Sequence, residues 1–139
     1  MKFLVLIKAT KASEAGVHPE QDVIMEMMRF NEQMMQAGVL LDAGGLYPSS
    51  QGKRIRVVGN TQQVTDGPFA ETKELIGGYF MMQAKSFDEV MEWMKRCPSL
   101  REDGAELEIR RLVDVGDFAA EIGEEANEMH KRLEEHVKR

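Results

Sequence analysis

Cysteine is nearly absent from this sequence, since Cys97 is the only one among 139 residues. A single thiol excludes an intrachain disulfide and a cysteine-rich zinc site. The lack of disulfides is typical of proteins in a reducing compartment, so we expect a cytoplasmic protein.

Long hydrophobic runs are missing as well. The apolar run Phe3–Ile7 ends at Lys8 after five residues, which is shorter than the roughly 7–15 residues of a signal-peptide core. No other run approaches the roughly 20 apolar residues that a membrane-spanning helix needs. The sequence therefore predicts a soluble protein without a membrane partner.

Positive charge is in deficit, because 18 Lys and Arg stand against 24 Asp and Glu, for a net charge of −6. Non-specific nucleic-acid binding needs many Lys and Arg contacts to phosphate. We therefore expect no nucleic-acid partner.

The length fits one domain, and a hydrophobic content of 42% suffices for one core without a disulfide or a metal.

The hydrophobic pattern predicts two helices and several strands. Apolar side chains recur at helical spacing over residues 20–37, and Gly38 follows at the C-cap position. A second helix begins at the capping box of Ser86 and Glu89 and ends before Pro98. Strands are predicted at residues 3–7, 39–41, 54–58, 78–84 and 106–110.

With residues 60–66 counted as a loop, the order is β-α-β-β-β-α-β. Pairing the second and third strands as a hairpin gives the ferredoxin-like α+β plan, an antiparallel sheet with two helices on one face. Residues 117–139 place apolar side chains at helical spacing among seven acids and four bases. They predict a C-terminal helix packed on the sheet or on a partner subunit, or else a solvated tail.

The most unusual stretch is Asp66–Glu74, with the sequence DGPFAETKE, here called the signature segment. Gly67 and Pro68 predict a turn, and Phe69 is expected to anchor the segment to the core. Its charges either pair with each other in water, each pair contributing ~0–1 kcal/mol, or one of them is buried and transfers protons with a shifted pKa.

The signature segment reproduces the motif of the DGPFAETKE proteins, and residues 1–113 resemble the YCII-related superfamily to which they belong. Segments such as Gly44-Gly45-Leu46 and Gly77-Gly78-Tyr79 carry the same resemblance. It implies a ferredoxin-like fold that forms a homodimer through its sheets, a dimeric α+β barrel. Residues 114–139 are then a helical extension of this domain.

The resemblance implies less about activity. The DGPFAETKE group has no settled function, and some members are encoded beside extracytoplasmic-function sigma factors. Distant relatives include isomerases and dehydrohalogenases, for some of which a His–Asp pair is proposed, with the histidine on the first helix. The first helix predicted here contains no histidine, and His18 lies just before it. The resemblance therefore does not predict a catalytic His–Asp pair in this chain.

Four residues of the signature segment are candidate catalytic residues. Asp66, Glu71 and Glu74 are predicted to act as general acid or base, and Lys73 to hold an anionic group. The chemistry expected is an isomerisation or elimination that needs no metal and no cofactor.

Three further residues are candidates for substrate binding. Arg110 lies on the strand face opposite Ile109, where Glu71, Glu74 or an anionic substrate could pair with it. Tyr47 offers a phenol that either orients a ligand or only packs. Asp42 either faces a pocket or is exposed in a turn.

Three functions stay open at this point. The first is a dimer that binds a small anionic or aromatic molecule, with or without isomerase or lyase chemistry. The second is a non-enzymatic regulatory protein, linked to a sigma factor and bound to its partner through residues 114–139 or its acidic surface. In the third, the signature segment only stabilises the dimer.

Overall fold

The computed structural model describes residues 1–137, and its centre is a four-stranded antiparallel sheet. The strands of the chain are β1 (Lys2–Lys8), β2 (Leu40–Gly45), β3 (Lys53–Val58), β4 (Thr61–Asp66), β5 (Ile76–Gln83) and β6 (Leu107–Arg111). In the central sheet their order is β2-β5-β1-β6. This order, with a helix after β1 and another after β5, is the ferredoxin-like α+β fold, which confirms the prediction.

Two of the helices cover one face of this sheet. The helices are α1 (Lys11–Glu14), α2 (Gln21–Gln36), α3 (Phe87–Met94), α4 (Ala119–Ile122) and α5 (Glu124–Val137). The core between α2, α3 and the sheet consists of Phe3, Val5, Phe30, Met34, Phe80, Met82, Val90 and Met94, with neighbours at its edge. Each fully buried side chain of this kind contributes ~1.5–3 kcal/mol through removal from water.

The predicted ends of α2 and α3 are explained by local hydrogen bonds. Gly38 follows α2 with a φ of 75°, a conformation that suits glycine. At the start of α3, Ser86 Oγ accepts a hydrogen bond from the Glu89 amide, while the Glu89 carboxylate accepts one from the Lys85 amide. The Glu89 side chain therefore caps the amide of Lys85, one residue before the expected amide of Ser86.

The predicted hairpin of the second and third strands is wrong. β2 pairs with β5, and β3 pairs with β4 in a separate two-stranded sheet. We call the segment Lys53–Asp66 the arm. All twelve strand residues of the arm are exposed, so β4 has no buried face and its sequence lacks the hydrophobic alternation by which strands are recognised.

The second face of the central sheet carries a different set of side chains. Because successive residues of a strand point to opposite faces, Phe3 and Val5 contact the helices while Leu4 and Leu6 lie on the other side. We call that side the open face. Leu4 and Leu6 are half-buried there, so β1, predicted to be buried on both faces, is fully buried on one.

The C-terminal helix predicted for residues 117–139 is present as α5, and residues 138–139 lie outside the described residues. It packs against the segment 115–122, and no residue of Glu124–Val137 is buried. A domain boundary at residue 113 stays a prediction. Within residues 1–137, the helices are too short or too polar to cross a membrane.

Candidate functional site

The signature segment runs from β4 to β5 and folds back onto the short 3-10 helix Ser49–Gln51. The Gly67 amide donates to the Gly52 carbonyl oxygen at 2.9 Å. A side chain at Gly67 would overlap the Ser49 carbonyl oxygen. Glycine is therefore required at this position by the close approach of two backbones.

Phe69 holds the middle of the segment in place through two kinds of contact. Its amide donates to Ser49 Oγ at 3.0 Å, and its ring lies 3.7 Å below the Arg54 guanidinium. Ser49 Oγ in turn donates to Glu14 Oε1 at 2.5 Å, and the Ser49 amide donates to Glu14 Oε2 at 2.9 Å. Phe69 thus anchors the segment, although to the 3-10 helix and the arm more than to the core.

Sequence reasoning did not single out Glu14 or Ser49. The two residues are separated by 35 positions, and their contact depends on how α1 and the 3-10 helix pack. Short-range patterns, such as the turn at Gly67 and Pro68, carry no information about it.

The four candidate catalytic residues lie at the surface. Asp66 pairs with Lys53 at 2.6 Å across the base of the arm, and both side chains are well exposed. Glu71, Lys73 and Glu74 are exposed on or beside the short 3-10 helix Thr72–Glu74. Their acid–base role stays a prediction.

A cleft of about 650 Å³ lies beside the signature segment. Thr72 and Lys73 form part of its wall, together with the end of β1 and the loop before β6. The ionisable side chains around it are Lys8, Lys11, Lys73, Glu102, Asp103 and Glu106. Of the seven candidate residues, the structure places only Lys73 in this cleft.

Arg110 lies on the open face, as the alternation with Ile109 predicts. Its carboxylate partner within the chain is Glu108, at 3.4 Å on the same strand, rather than Glu71 or Glu74. Glu108 also contacts Lys8 Nζ at 3.4 Å. The positive charge of Lys8, reinforced by Arg110, holds the pKa of Glu108 below its ordinary value of 4.5.

Lys8 connects the cleft to the open face. Its side chain is only 16% exposed and lines the cleft, while the register of β1 and β6 places its partner Glu108 beside Leu6 on the open face. The two regions therefore share one lysine residue.

Asp42 and Tyr79 form a second polar group on the open face. Tyr79 Oη donates to Asp42 Oδ2 at 2.8 Å. This hydrogen bond, with the nearby negative charge, raises the pKa of Tyr79 above its ordinary value of 10.0. The phenol is therefore a protonated donor at neutral pH. Asp42 lies in a strand, where its other oxygen accepts from the Ala43 amide at 2.9 Å.

Gly44 makes room for the Tyr79 ring. A Cβ at Gly44 would lie 2.9 Å from Tyr79 Cε1, so a larger residue would displace the ring. Of the glycines at 44–45 and 77–78, only Gly44 faces the Tyr79 ring. Tyr47, in contrast, is 79% exposed after β2.

The candidate residues on the open face lie at opposite sides of it. Asp42, Met81, Leu4 and Arg110 follow one another across the four strands. Because adjacent strands are about 4.8 Å apart, the backbones of Asp42 and Arg110 are roughly 14 Å apart. They cannot hold the same small group within one chain.

Replacing Ser49 by alanine is expected to destabilise the protein by about 1–3 kcal/mol, because it removes the hydroxyl partner of Glu14 Oε1 and of the Phe69 amide. Urea denaturation measures the change, and amide exchange at Phe69 should become faster. Ser50→Ala, in the same 3-10 helix but exposed, should change stability by less than about 0.5 kcal/mol. Equal stability of the two variants would contradict the role of Ser49.

Replacing Asp42 by asparagine is expected to lower the pKa of Tyr79, because the negative charge that stabilises the protonated phenol is lost. The chain has two tyrosines, so a Tyr47→Phe background leaves Tyr79 as the only one, and tyrosinate absorbance against pH reports its titration. Asp103→Asn, on a distant exposed loop, should leave the curve in place. An unchanged pKa in the Asp42 variant would refute the assignment.

Comparison with known proteins identifies the family to which the chain belongs. A curated relative, an uncharacterized protein (R00369) of Rhizobium meliloti strain 1021, is 25% identical over 114 residues, which cover 81% of this chain and 92% of the relative. The solved structure of 5-chloro-2-hydroxyhydroquinone dehydrochlorinase (TftG) from Burkholderia phenoliruptrix AC1100, in complex with 2,5-dihydroxybenzoquinone, is similar with a TM-score of 0.48 and 17% identity, over 81% of this chain and 94% of that chain. The family model of the YCII-related domain matches residues 1–114. The chain therefore belongs to the YCII-related domain family.

Proposed function

We propose that this protein binds a small organic anion in the cleft beside the signature segment. The observation that carries the proposal is the position of Thr72 and Lys73, which place the signature segment in the wall of a cleft of about 650 Å³. That volume lies within the roughly 300–1,000 Å³ of small-molecule sites. The positions of Lys8 and Lys11 in the same wall support it.

The lining groups favour a hydroxylated anion. The three lysines attract a carboxylate or a phenolate as compact point charges. Thr10, Thr72 and Ser99 add hydroxyl groups, which donate to or accept from the ligand. The carboxylates of Glu102, Asp103 and Glu106 are hydrogen-bond acceptors only, so the ligand carries hydroxyl donors on that side. Aromatic hydroxy acids and phenols fit this description.

The chemistry that suits such a ligand is a cofactor-independent isomerisation or elimination. Glu71 or Glu74, which lie beside Lys73 though outside the lining of the cleft, would turn toward the ligand and take a proton from one of its carbons, whereas Asp66 stays paired with Lys53 at the base of the arm. The electron pair then either accepts a proton at another atom or expels a leaving group. Glu71 and Glu74 support this role because they flank Lys73 on the same short turn. Lys73 holds the anion that develops.

A homodimer formed through the open face is part of the proposal. Leu4, Leu6 and Met81 form its apolar centre, and polar groups around Tyr79 and Glu108 lie at its sides. An apolar centre with a polar rim is typical of protein interfaces. Asp42, Tyr79 and Arg110 would then lie at the edge of the interface.

A second candidate function is a non-enzymatic interaction role in a regulatory pathway of an extracytoplasmic-function sigma factor. It is favoured by α5, whose residues Met129, Leu133 and Val137 are 50%, 62% and 81% exposed. An amphipathic helix with an exposed apolar stripe is typical of helices that bind a groove on another protein.

Ligand binding in the cleft is tested by thermal melting against a panel of benzoic, hydroxybenzoic and lactone-derived acids. A ligand at about 100 times its Kd stabilises the protein by about 2.7 kcal/mol. Lys73→Ala should weaken binding at least about tenfold, since it removes one of three cations. Lys85→Ala, an exposed lysine before α3, is the matched control. A ligand that stabilises the wild type and the Lys73 variant equally would contradict a site in the cleft.

The interaction role is tested by titrating the protein with a purified extracytoplasmic-function sigma factor of its own genome. The double variant Met129→Ser, Leu133→Ser should lose at least about tenfold in affinity, because its stripe no longer buries apolar surface. Lys131→Ser, on the opposite side of α5, should bind as the wild type does. Equal affinity of the wild type and the double variant would refute binding through α5.

A further inference from the structure

The arm lacks the packing that a hairpin needs to be ordered. All twelve residues of β3 and β4 are exposed. A single two-stranded hairpin is marginally stable at best in water and normally requires a third strand or a packed face. The arm therefore requires a surface that covers it.

One face of the arm is apolar. The register places Ile55 opposite Val64 and Val57 opposite Gln62, so these side chains share a face. Ile55, Val57 and Val64 are 71%, 70% and 62% exposed. We call them the aliphatic face. The reverse face carries Arg54, which is held against the Phe69 ring, so the aliphatic face is the one available for a partner.

The charge of the aliphatic face indicates which partner it fits. The only charged residues on this side are Lys53 and Asp66, which lie opposite each other and pair at 2.6 Å. The face is thus neutral in a chain with a net charge of −6. Contacts between two copies related by a two-fold axis bring like surfaces near each other, and like charges there are repulsive. A neutral apolar face meets this condition.

The size of the face indicates how it would be used. A stable interface buries roughly 800 Å² per partner, and three aliphatic side chains supply only a part of that. The arm continues through the signature segment into β5, whose Met81 belongs to the open face. The arm and the open face are therefore connected along the chain by the anchored signature segment.

We infer that the aliphatic face of the arm packs against a second copy of this chain and extends the dimer interface of the open face. This inference rests on the homodimer proposed above. It gives the signature segment a second role: Phe69 and Asp66, through Arg54 and Lys53, fix the base of the arm in the orientation in which it contacts the partner.

The test is sedimentation velocity of the full chain over a range of concentrations, with the triple variant Ile55→Thr, Val57→Thr, Val64→Thr. Threonine is β-branched and keeps strand propensity, and the three positions are exposed within one chain, so the monomer should fold. The dissociation constant of the dimer should rise by about a hundredfold or more, because six aliphatic groups are lost from each dimer. Val58→Thr, on the reverse face of the arm, should change it less than about threefold.

The outcomes distinguish the role of the arm from the existence of the open-face dimer. A dimer whose dissociation constant is the same in the wild type and the triple variant overturns the role of the arm and leaves the open-face dimer standing. A wild type that is monomeric at every concentration overturns both. Amide exchange gives a second measurement: protection of residues 53–66 should increase with protein concentration in the wild type, and protection independent of concentration would overturn the inference.

Discussion

The Ser49 hydroxyl connects three segments that are far apart in the chain. It donates to Glu14 at the end of α1 and accepts from the Phe69 amide in the signature segment. Three further features depend on where that segment lies: the base of the arm, the start of β5, and the wall of the cleft. A motif that is dense in charge is therefore held against the 3-10 helix by a serine, a glycine and a phenylalanine, while its acid Asp66 pairs with Lys53 at the base of the arm.

The central sheet explains why the remaining polar groups are where they are. One face is fully occupied by α2 and α3, and no charged residue is buried in the described part of the chain. The polar side chains of the sheet are consequently confined to the open face and its edges. There they form two separate groups, one around Tyr79 on the β2 side and one around Glu108 on the β6 side. One face of the sheet thus forms the core, and the open face carries the polar groups.

Most elements that were predicted from the sequence have a buried face. Burial on one side imposes the helical spacing of residues 20–37 and the alternation around Arg110, and both predictions agree with the structure. In the arm, β3 was predicted from its β-branched residues although it is exposed, whereas β4 was missed because its exposed residues show no hydrophobic alternation. The contacts of Glu14 with Ser49 and of Asp42 with Tyr79 join residues 35 and 37 positions apart. Such pairs are set by the packing of whole elements, which local patterns do not contain.

Lys8 gives the molecule a thermodynamic link between its two surfaces. The residue lines the cleft, and its ammonium group pairs with Glu108 on the open face. An anion that pairs with Lys8 would weaken the interaction of Lys8 with Glu108. The pKa of Glu108 would then rise toward its ordinary value. In the anion complex and the homodimer proposed above, coupling between the two binding events is reciprocal, so that a subunit covering Glu108 would change the affinity of the cleft for anions. Anion binding and self-association would then share one free-energy term, which passes through Lys8.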